Sequence, residues 1–454
     1  MDIRVLETSD LGDRSYVVGA GDSVVVVDPQ RDIDRLVPLV AGRTVTHVVE
    51  THIHNDYVTG GLQLAREHGA AYVVPAGPDV AYARQAAADG DTFASGATSW
   101  EAVATPGHTP HHLAWAVTDG AETAVLTGGS LLFGSVGRTD LVSDELTERL
   151  TRDQWRSARR LADRLPGSAV VLPTHGFGSF CSASPTSGDS STIADQVAAN
   201  PAFIQDEERF VAELVAGLDA YPAYYAQMAP LNLVGPGPVD LAPAAVATAA
   251  DIRRRVDAGE WVVDLRSREI FAAGFVPGTL SFDSTGNVVT YLGWLIPWGT
   301  PVTLLGDSAE QVAGVQRELV RIGIDRPAAH AIGGPREWAS DGRLATYPRT
   351  DFAGLAAALA DDPGLTVLDV RSRSENRESR IAGARHVPLH QLTDRLDEMP
   401  DATLWVHCGS GFRAAVAASL LSARGRDVVH VDEDFEAAGP AGLPMVAGPA
   451  PDGE

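Results

Sequence analysis

Near the carboxy terminus the apolar run Leu404-Trp405-Val406 leads into His407-Cys408-Gly409-Ser410-Gly411-Phe412-Arg413 and then into the alanine-rich stretch from Ala414 to Ala423. Strand, tight loop and helix in that order make a holder for a thiolate. Gly409 and Gly411 let successive backbone amides turn inward as a nest, while the helix amino terminus and the Arg413 side chain favour an anionic sulfur. Such a setting lowers a cysteine pKa and makes Cys408 a nucleophile.

A second group of residues is suited to metal chemistry. The segments Thr51-His52-Ile53-His54-Asn55-Asp56-Tyr57, Thr105-Pro106-Gly107-His108-Thr109 and Pro173-Thr174-His175-Gly176 are far apart in the chain. A His-x-His-x-Asp loop after an apolar strand, with distant histidines each at a glycine turn, is the layout of a metal site drawn from several strand ends. His111 and His112 lie beside that pocket, with His111 facing solvent. Cys181, in Gly178-Ser179-Phe180-Cys181, reads as a packed core thiol.

The elements that must carry these residues are mixed α/β. Tyr16-Val17-Val18 and Val24-Val25-Val26-Val27, separated by Gly19-Ala20-Gly21-Asp22, predict a hairpin. Further strands are expected at 45–50, 71–74, 113–117 and 169–172, alternating with helical patterns. One helix is expected over 150–165, with Trp155, Ala158, Ala162 and Leu165 on one face and Pro166-Gly167 as its stop. Gly235-Pro236-Gly237-Pro238 breaks regular structure and reads as a linker. Beyond it, Trp261-Val262-Val263-Asp264-Leu265-Arg266-Ser267-Arg268-Glu269 is echoed by Thr366-Val367-Leu368-Asp369-Val370-Arg371-Ser372-Arg373-Ser374-Glu375. The two copies, of roughly a hundred residues each, are too long for solenoid repeats and read as tandem domains.

The chain has 454 residues, more than one core usually supports. Its formal net charge of -25 argues against nucleic acid or an anionic membrane surface as a partner. All 35 basic side chains are arginine, which excludes a P-loop lysine and a Schiff-base lysine. Two cysteines make no disulfide framework and fit a reducing compartment. No signal-peptide pattern and no apolar run of transmembrane length are present, so a cytoplasmic location is expected.

The loop from Cys408 to Arg413, together with Asp369-Val370-Arg371 and Ile381-Ala382-Gly383-Ala384, resembles the rhodanese family over about a hundred residues. The loop spans six residues; the cysteine phosphatases use one more to encircle a phosphate. The resemblance implies that Cys408 takes sulfane sulfur as a persulfide, held by Arg413 and the amides of Gly409, Ser410, Gly411 and Phe412. Asp432-Glu433-Asp434-Phe435 stands where that family usually has a glycine pair. The first copy reaches Val302-Thr303-Leu304-Leu305-Gly306-Asp307-Ser308, with Asp307 or its neighbours in place of the cysteine, so it looks like an inactive rhodanese suited to packing or partner recognition.

The histidine segments resemble the metallo-β-lactamase fold, an αβ/βα sandwich, and Val136-Gly137-Arg138-Thr139-Asp140-Leu141 resembles its persulfide dioxygenase and glyoxalase II branch. The whole chain is similar to a persulfide dioxygenase–rhodanese fusion: a metallo-β-lactamase-like domain at 1–235, a rhodanese-like domain without the cysteine at 244–347, and a rhodanese domain at 348–454. Two positions depart from the pattern. Tyr57 replaces a histidine, and Leu126-Thr127-Gly128-Gly129-Ser130 has Gly129 where a metal-binding aspartate is usual. What the resemblance leaves is a mononuclear site of His52, His54 and His108 for one divalent ion, iron or zinc. Asp56, Tyr57 and His175 would stand around it, and Arg138 would either bind a substrate carboxylate such as that of glutathione or serve in helix capping or an ion pair. No organic cofactor is expected.

The implied function is sulfur metabolism: rhodanese-type transfer through Cys408, coupled to an amino-terminal domain that binds or processes a thiol persulfide. Two alternatives stand beside it: a metal-dependent thioester hydrolase of the glyoxalase II type, and an inactive scaffold that delivers sulfur from Cys408 to a protein acceptor. The expected partners are a glutathione-like thiol or persulfide, or thiosulfate, with a protein sulfur acceptor and a homo-oligomeric state as further options.

Overall fold

A computed structural model describes residues 1–186 and 188–448. The chain divides into two compact units, Met1–Asp240 with Glu318–Asp325, and Leu241–Arg317 with the residues from Arg326 onward.

The first unit holds two sheets. One is ordered β1 (Asp2–Thr8), β2 (Asp13–Ala20), β3 (Ser23–Val27), β4 (Thr44–Val49), β5 (Ala71–Pro75), β6 (Gln85–Ala87). The other runs β11 (Val170–Pro173), β10 (Thr123–Gly128), β9 (Leu113–Thr118), β8 (Thr98–Ala104), β7 (Thr92–Ser95). The expected hairpin is β2–β3, with Tyr16 opposite Val27 and Ala20 opposite Ser23. Gly21, at φ +64°, makes the turn that a side chain would strain. The unbroken valines of β3 follow from burial on both faces. Val25 and Val27 pack with Trp100, Trp115 and Leu126 between the sheets, whereas Val24 and Val26 pack outward with Leu36, Leu62 and Ala65.

Helices cover each sheet's outer face, giving the αβ/βα sandwich. The expected helix over 150–165 runs Asp144–Arg164. It starts earlier because Asp144 and Glu145 suit the positive end of its dipole, although its apolar face begins only at Leu150. That face meets Val103, Val125 and Val171 of the second sheet.

The second unit holds two parallel sheets. The first copy of the repeat forms β12 (Trp261–Asp264), β13 (Leu280–Ser281), β14 (Val302–Gly306) and β15 (Ala329–Ile332), in the order β13-β12-β14-β15. The second forms β16 (Arg349–Thr350), β17 (Thr366–Asp369), β18 (Arg380–Ile381), β19 (Arg385–His386), β20 (Leu404–His407), β21 (Val428–Val431) and β22 (Met445–Val446), with the main sheet ordered β16-β21-β20-β17-β19. The repeated Asp-x-Arg does the same work twice. Arg266 Nη2 donates to Asp264 (2.6 Å) and to the Gly274 carbonyl (3.0 Å); Arg371 Nη2 donates to Asp369 (2.7 Å) and to the Ser379 carbonyl (2.7 Å). Each buried pair ties a strand end to the turn that follows. Among the described residues no helix is long and apolar enough to cross a membrane.

Candidate functional site

Cys408 follows β20 directly, and the helix Phe412–Ala423 starts four residues later. The sulfur is buried, and the Gly411 amide donates to it at 3.2 Å. Gly411 has φ +89°, and a Cβ there would meet Asp432 Oδ1 at 1.9 Å, so both its backbone and its surroundings require glycine. Arg413 is paired across the loop with an acidic side chain. Its guanidinium forks onto Glu375 with two contacts of 2.6 Å and lies beneath Gly409, so the loop amide is the group that meets Sγ. A bidentate pair of this kind holds a loop from below.

The acidic stretch after β21 gives the loop a second support. Asp432 accepts from Arg268 Nε (2.7 Å) and Arg349 Nη1 (2.8 Å), and His430 Nε2 donates to the Gly411 carbonyl (2.9 Å). Glu433 accepts from the Phe352 amide at the start of a helix. Arg268 belongs to the first copy of the repeat, as do Gly286, whose Cα lies against the Phe412 ring, and Tyr291, whose ring lies 5.7 Å from that ring. The copy without a cysteine therefore packs against the loop that has one. Asp307 is exposed and its amide donates to Gln311.

In the first unit, the loops at the carboxyl ends of β3, β4, β8, β10 and β11 converge on a buried polar cluster. Asp28, after β3, accepts from the Thr51 amide (2.7 Å), the Thr51 hydroxyl (2.7 Å) and the Thr174 hydroxyl (2.5 Å). With its proton committed to Asp28, the Thr51 oxygen accepts from His52 Nδ1 (2.8 Å). His52 thus carries its proton on Nδ1 and presents a lone pair on Nε2. That Nε2 lies 3.4 Å from Nε2 of His175, whose Nδ1 is held by Asp13 (2.8 Å), with Asp56 at 3.2 Å. Two nitrogens on one tetrahedral ion at ordinary zinc–nitrogen lengths stand about 3.4 Å apart.

His54 is fixed from its far side. Its Nε2 lies 3.3 Å from both Asp28 and Glu50 and 3.0 Å from the Tyr57 hydroxyl, while its Nδ1 is buried without a hydrogen bond. Burial alone would lower its pKa, but Asp28 and Glu50 outweigh that and raise it to about 9. His52, among neighbouring imidazoles, is pushed well below its usual value by burial and by their charge. Tyr57 stacks on His54 and hydrogen-bonds to it.

His108 takes a different place from the one its sequence position implies. Its Nδ1 is bound by the Arg138 carbonyl (2.7 Å), and its ring fills the space over Gly129, where a Cβ would stand 2.3 Å from the imidazole. The histidines whose ligand atoms gather within 4.8 Å are His52, His54 and His175, while His108 gathers instead with His175 and Cys181. His108 still touches His52 edge-on at 4.9 Å, with its Nε2 buried and unbonded. These orphaned nitrogens in one buried cluster, with the tautomer of His52 already fixed, fit a metal ion. Ser130 turns away to the Thr127 carbonyl. Arg138 is committed to Asp140 by two bonds of 2.7 Å and to the Phe180 and Asp219 carbonyls, so it is an ion-paired scaffold and not a receptor for a substrate carboxylate.

Asp28, Glu50 and Asp13 carry no motif signal in the sequence, whereas His112 stands beside the pocket as expected. His112 accepts from the Gly129 amide (3.0 Å) and bonds to Thr105 (2.8 Å), pinning the turn that lacks the carboxylate. One signal for Asp28 exists only in the backbone: it is the non-glycine residue at positive φ (49°) among the described residues, a conformation that marks a constrained position.

Residues 11–175 match the metallo-beta-lactamase superfamily and residues 352–438 the rhodanese-like domain. A hydroxyacylglutathione hydrolase of Rhizobium johnstonii is 33% identical over 138 residues, 30% of this chain and 50% of the relative. The mitochondrial persulfide dioxygenase ETHE1 of Homo sapiens is 28% identical over 205 residues, 43% of this chain and 74% of the relative. The chain spans about half the length of the first of these curated relatives. A crystal structure of a metallo-beta-lactamase from Staphylococcus aureus is similar over 74% of this chain and 99% of its own, at 25% identity and a TM-score of 0.66.

Proposed function

From a chain that carries a metallo-β-lactamase superfamily domain and a rhodanese-like domain, we propose an enzyme of sulfur metabolism in which Cys408 carries sulfane sulfur and the amino-terminal domain processes a thiol persulfide. The observation that carries the first part is the buried Cys408 sulfur on the Gly411 amide, in a loop braced by Glu375 and Asp432. The Cys408 thiolate attacks the outer sulfur of thiosulfate or a persulfide. The donor's S–S bond breaks, and its electron pair leaves with sulfite or a thiolate. Cyanide or an acceptor thiol then attacks the terminal sulfur and releases the Cys408 thiolate. Throughout, the loop amides and the helix amino terminus offset the negative charge.

The second part is supported by the histidine cluster and by the similarity to persulfide dioxygenase and hydroxyacylglutathione hydrolase. His175 would hold one ion together with histidines drawn from His52, His54 and His108, and iron or zinc is proposed. When bound, such an ion supplies Lewis acidity, and iron adds redox chemistry with oxygen. The chain's own part is orientation: Thr51 with Asp28 fixes the His52 tautomer, Asp13 holds His175, and Asp28 with Glu50 aims His54. Glutathione persulfide is the proposed substrate class. The similarity to hydroxyacylglutathione hydrolase favours thioester hydrolysis as the second reading.

The test has two arms. Thiosulfate:cyanide transfer is expected to vanish in Cys408→Ser, and undiminished transfer would sink the assignment. Oxygen uptake on glutathione persulfide is expected from iron-loaded protein; full iron loading without uptake would leave hydrolysis, and a metal-free but transfer-active protein would favour the scaffold.

A further inference from the structure

Gly129 leaves the histidine cluster with no carboxylate from β10, yet an anionic donor stands on its other side. Cys181 is fully buried in the loop after β11, and its sulfur lies within 4.8 Å of one ring nitrogen each of His108 and His175, which are themselves within that distance of each other.

Two features make this more than a buried thiol. His108 belongs to this group, and its Nε2 is a fully buried nitrogen with no hydrogen bond. The backbone of Arg138 also ties the two residues together: its carbonyl accepts from His108 Nδ1 (2.7 Å), and its amide donates to the Cys181 carbonyl (2.8 Å). His108 therefore keeps its proton on Nδ1 and its lone pair on Nε2, as a metal-ligating imidazole must. The loop is located by a close approach at Gly12, where a Cβ would meet the Ser179 amide nitrogen at 2.2 Å. The Cys181 sulfur touches one further polar group, the Tyr225 hydroxyl at 3.8 Å, which would donate to a thiolate.

We propose that Cys181 is the anionic ligand of this chain's metal centre, joining His108 and His175 and replacing the carboxylate that Gly129 cannot supply. The proposal rests on the reading that this domain holds a metal. As the ion binds, the thiol S–H bond breaks, its proton passes to solvent, and a metal–sulfur bond forms, so one proton is released per ion. A thiolate donor turns a site of imidazoles toward softer divalent ions such as zinc, cobalt(II) and iron(II), and away from magnesium or calcium.

The experiment uses the full chain carrying Cys408→Ser, so that Cys181 is the remaining thiol, stripped with a chelator and titrated with cobalt(II). A near-ultraviolet thiolate-to-cobalt charge-transfer band is expected to grow with the visible cobalt bands and to saturate at one ion per chain. Replacing Cys181 by serine as well is expected to abolish that band and to weaken cobalt binding by at least about tenfold. Because the band is read with Cys181 in place, poor folding of the double variant cannot hide the answer. Cobalt bound with visible bands but no charge-transfer band would overturn the Cys181 proposal and leave the metal reading standing; no cobalt bound at all would overturn both.

Discussion

His108 and Gly129 occupy each other's room. The usual aspartate cannot simply be restored, because its Cβ would stand 2.3 Å from the His108 ring. Gly129→Asp is accordingly expected to lower stability by about 1–3 kcal/mol through overpacking, without tightening metal binding. Urea unfolding and metal titration check this; unchanged stability with tighter binding would contradict it. The residues legible in the sequence were those whose chemistry is local. Cys408 and its loop could be read from consecutive residues, as could the His52-x-His54 pair. The Arg413–Glu375 pair was not legible because its two residues stand 38 positions apart. The surroundings of His108 were not legible in its motif for a similar reason: the place of its ring depends on Gly129, Gly137 and the Arg138 carbonyl.

Among the elements, strand ends carry the chemistry. Parallel β17 and β20 place Asp369 beside His407, and β17 hands Asp369 to Arg371. Burial would raise the Asp369 pKa, but His407 and Arg371 outweigh it and hold the carboxyl well below its usual range. A carboxylate depressed in the folded state contributes stability above its unfolded pKa, about 3.9, and loses it as pH falls below that value. Asp369→Asn is therefore expected to flatten the acid limb of the stability curve below about pH 4, measured by urea unfolding at a series of pH values; coincident limbs for the two proteins would refute the assignment. The β2–β3 hairpin, the repeat at β12 and β17 and the helix face from Leu150 were legible because apolar period and turn residues are local signals. The early start of the Asp144 helix was not, since its first turn is polar.

At the scale of the whole molecule, the proposed function places separate requirements on the two units: a cluster of candidate metal ligands in the first and the Cys408 loop in the second. Substituting one centre should spare the other. His52→Ala is expected to lose bound metal and keep thiosulfate:cyanide transfer, with elemental analysis and the transfer assay as readouts; loss of transfer alongside the metal would show that the centres are coupled. The repeat announced a tandem arrangement, but not that Arg268 of the copy without a cysteine would brace Asp432 behind the active loop, because that contact spans 164 residues. The claim on which the rest depends is that Cys408 is the sulfur carrier. Peptide mass spectrometry after brief exposure of the intact chain to thiosulfate tests it most directly: the predicted result is the added mass of one sulfur atom on the Cys408 peptide, removed by cyanide. Sulfur found only on the Cys181 peptide, or on neither, would contradict it.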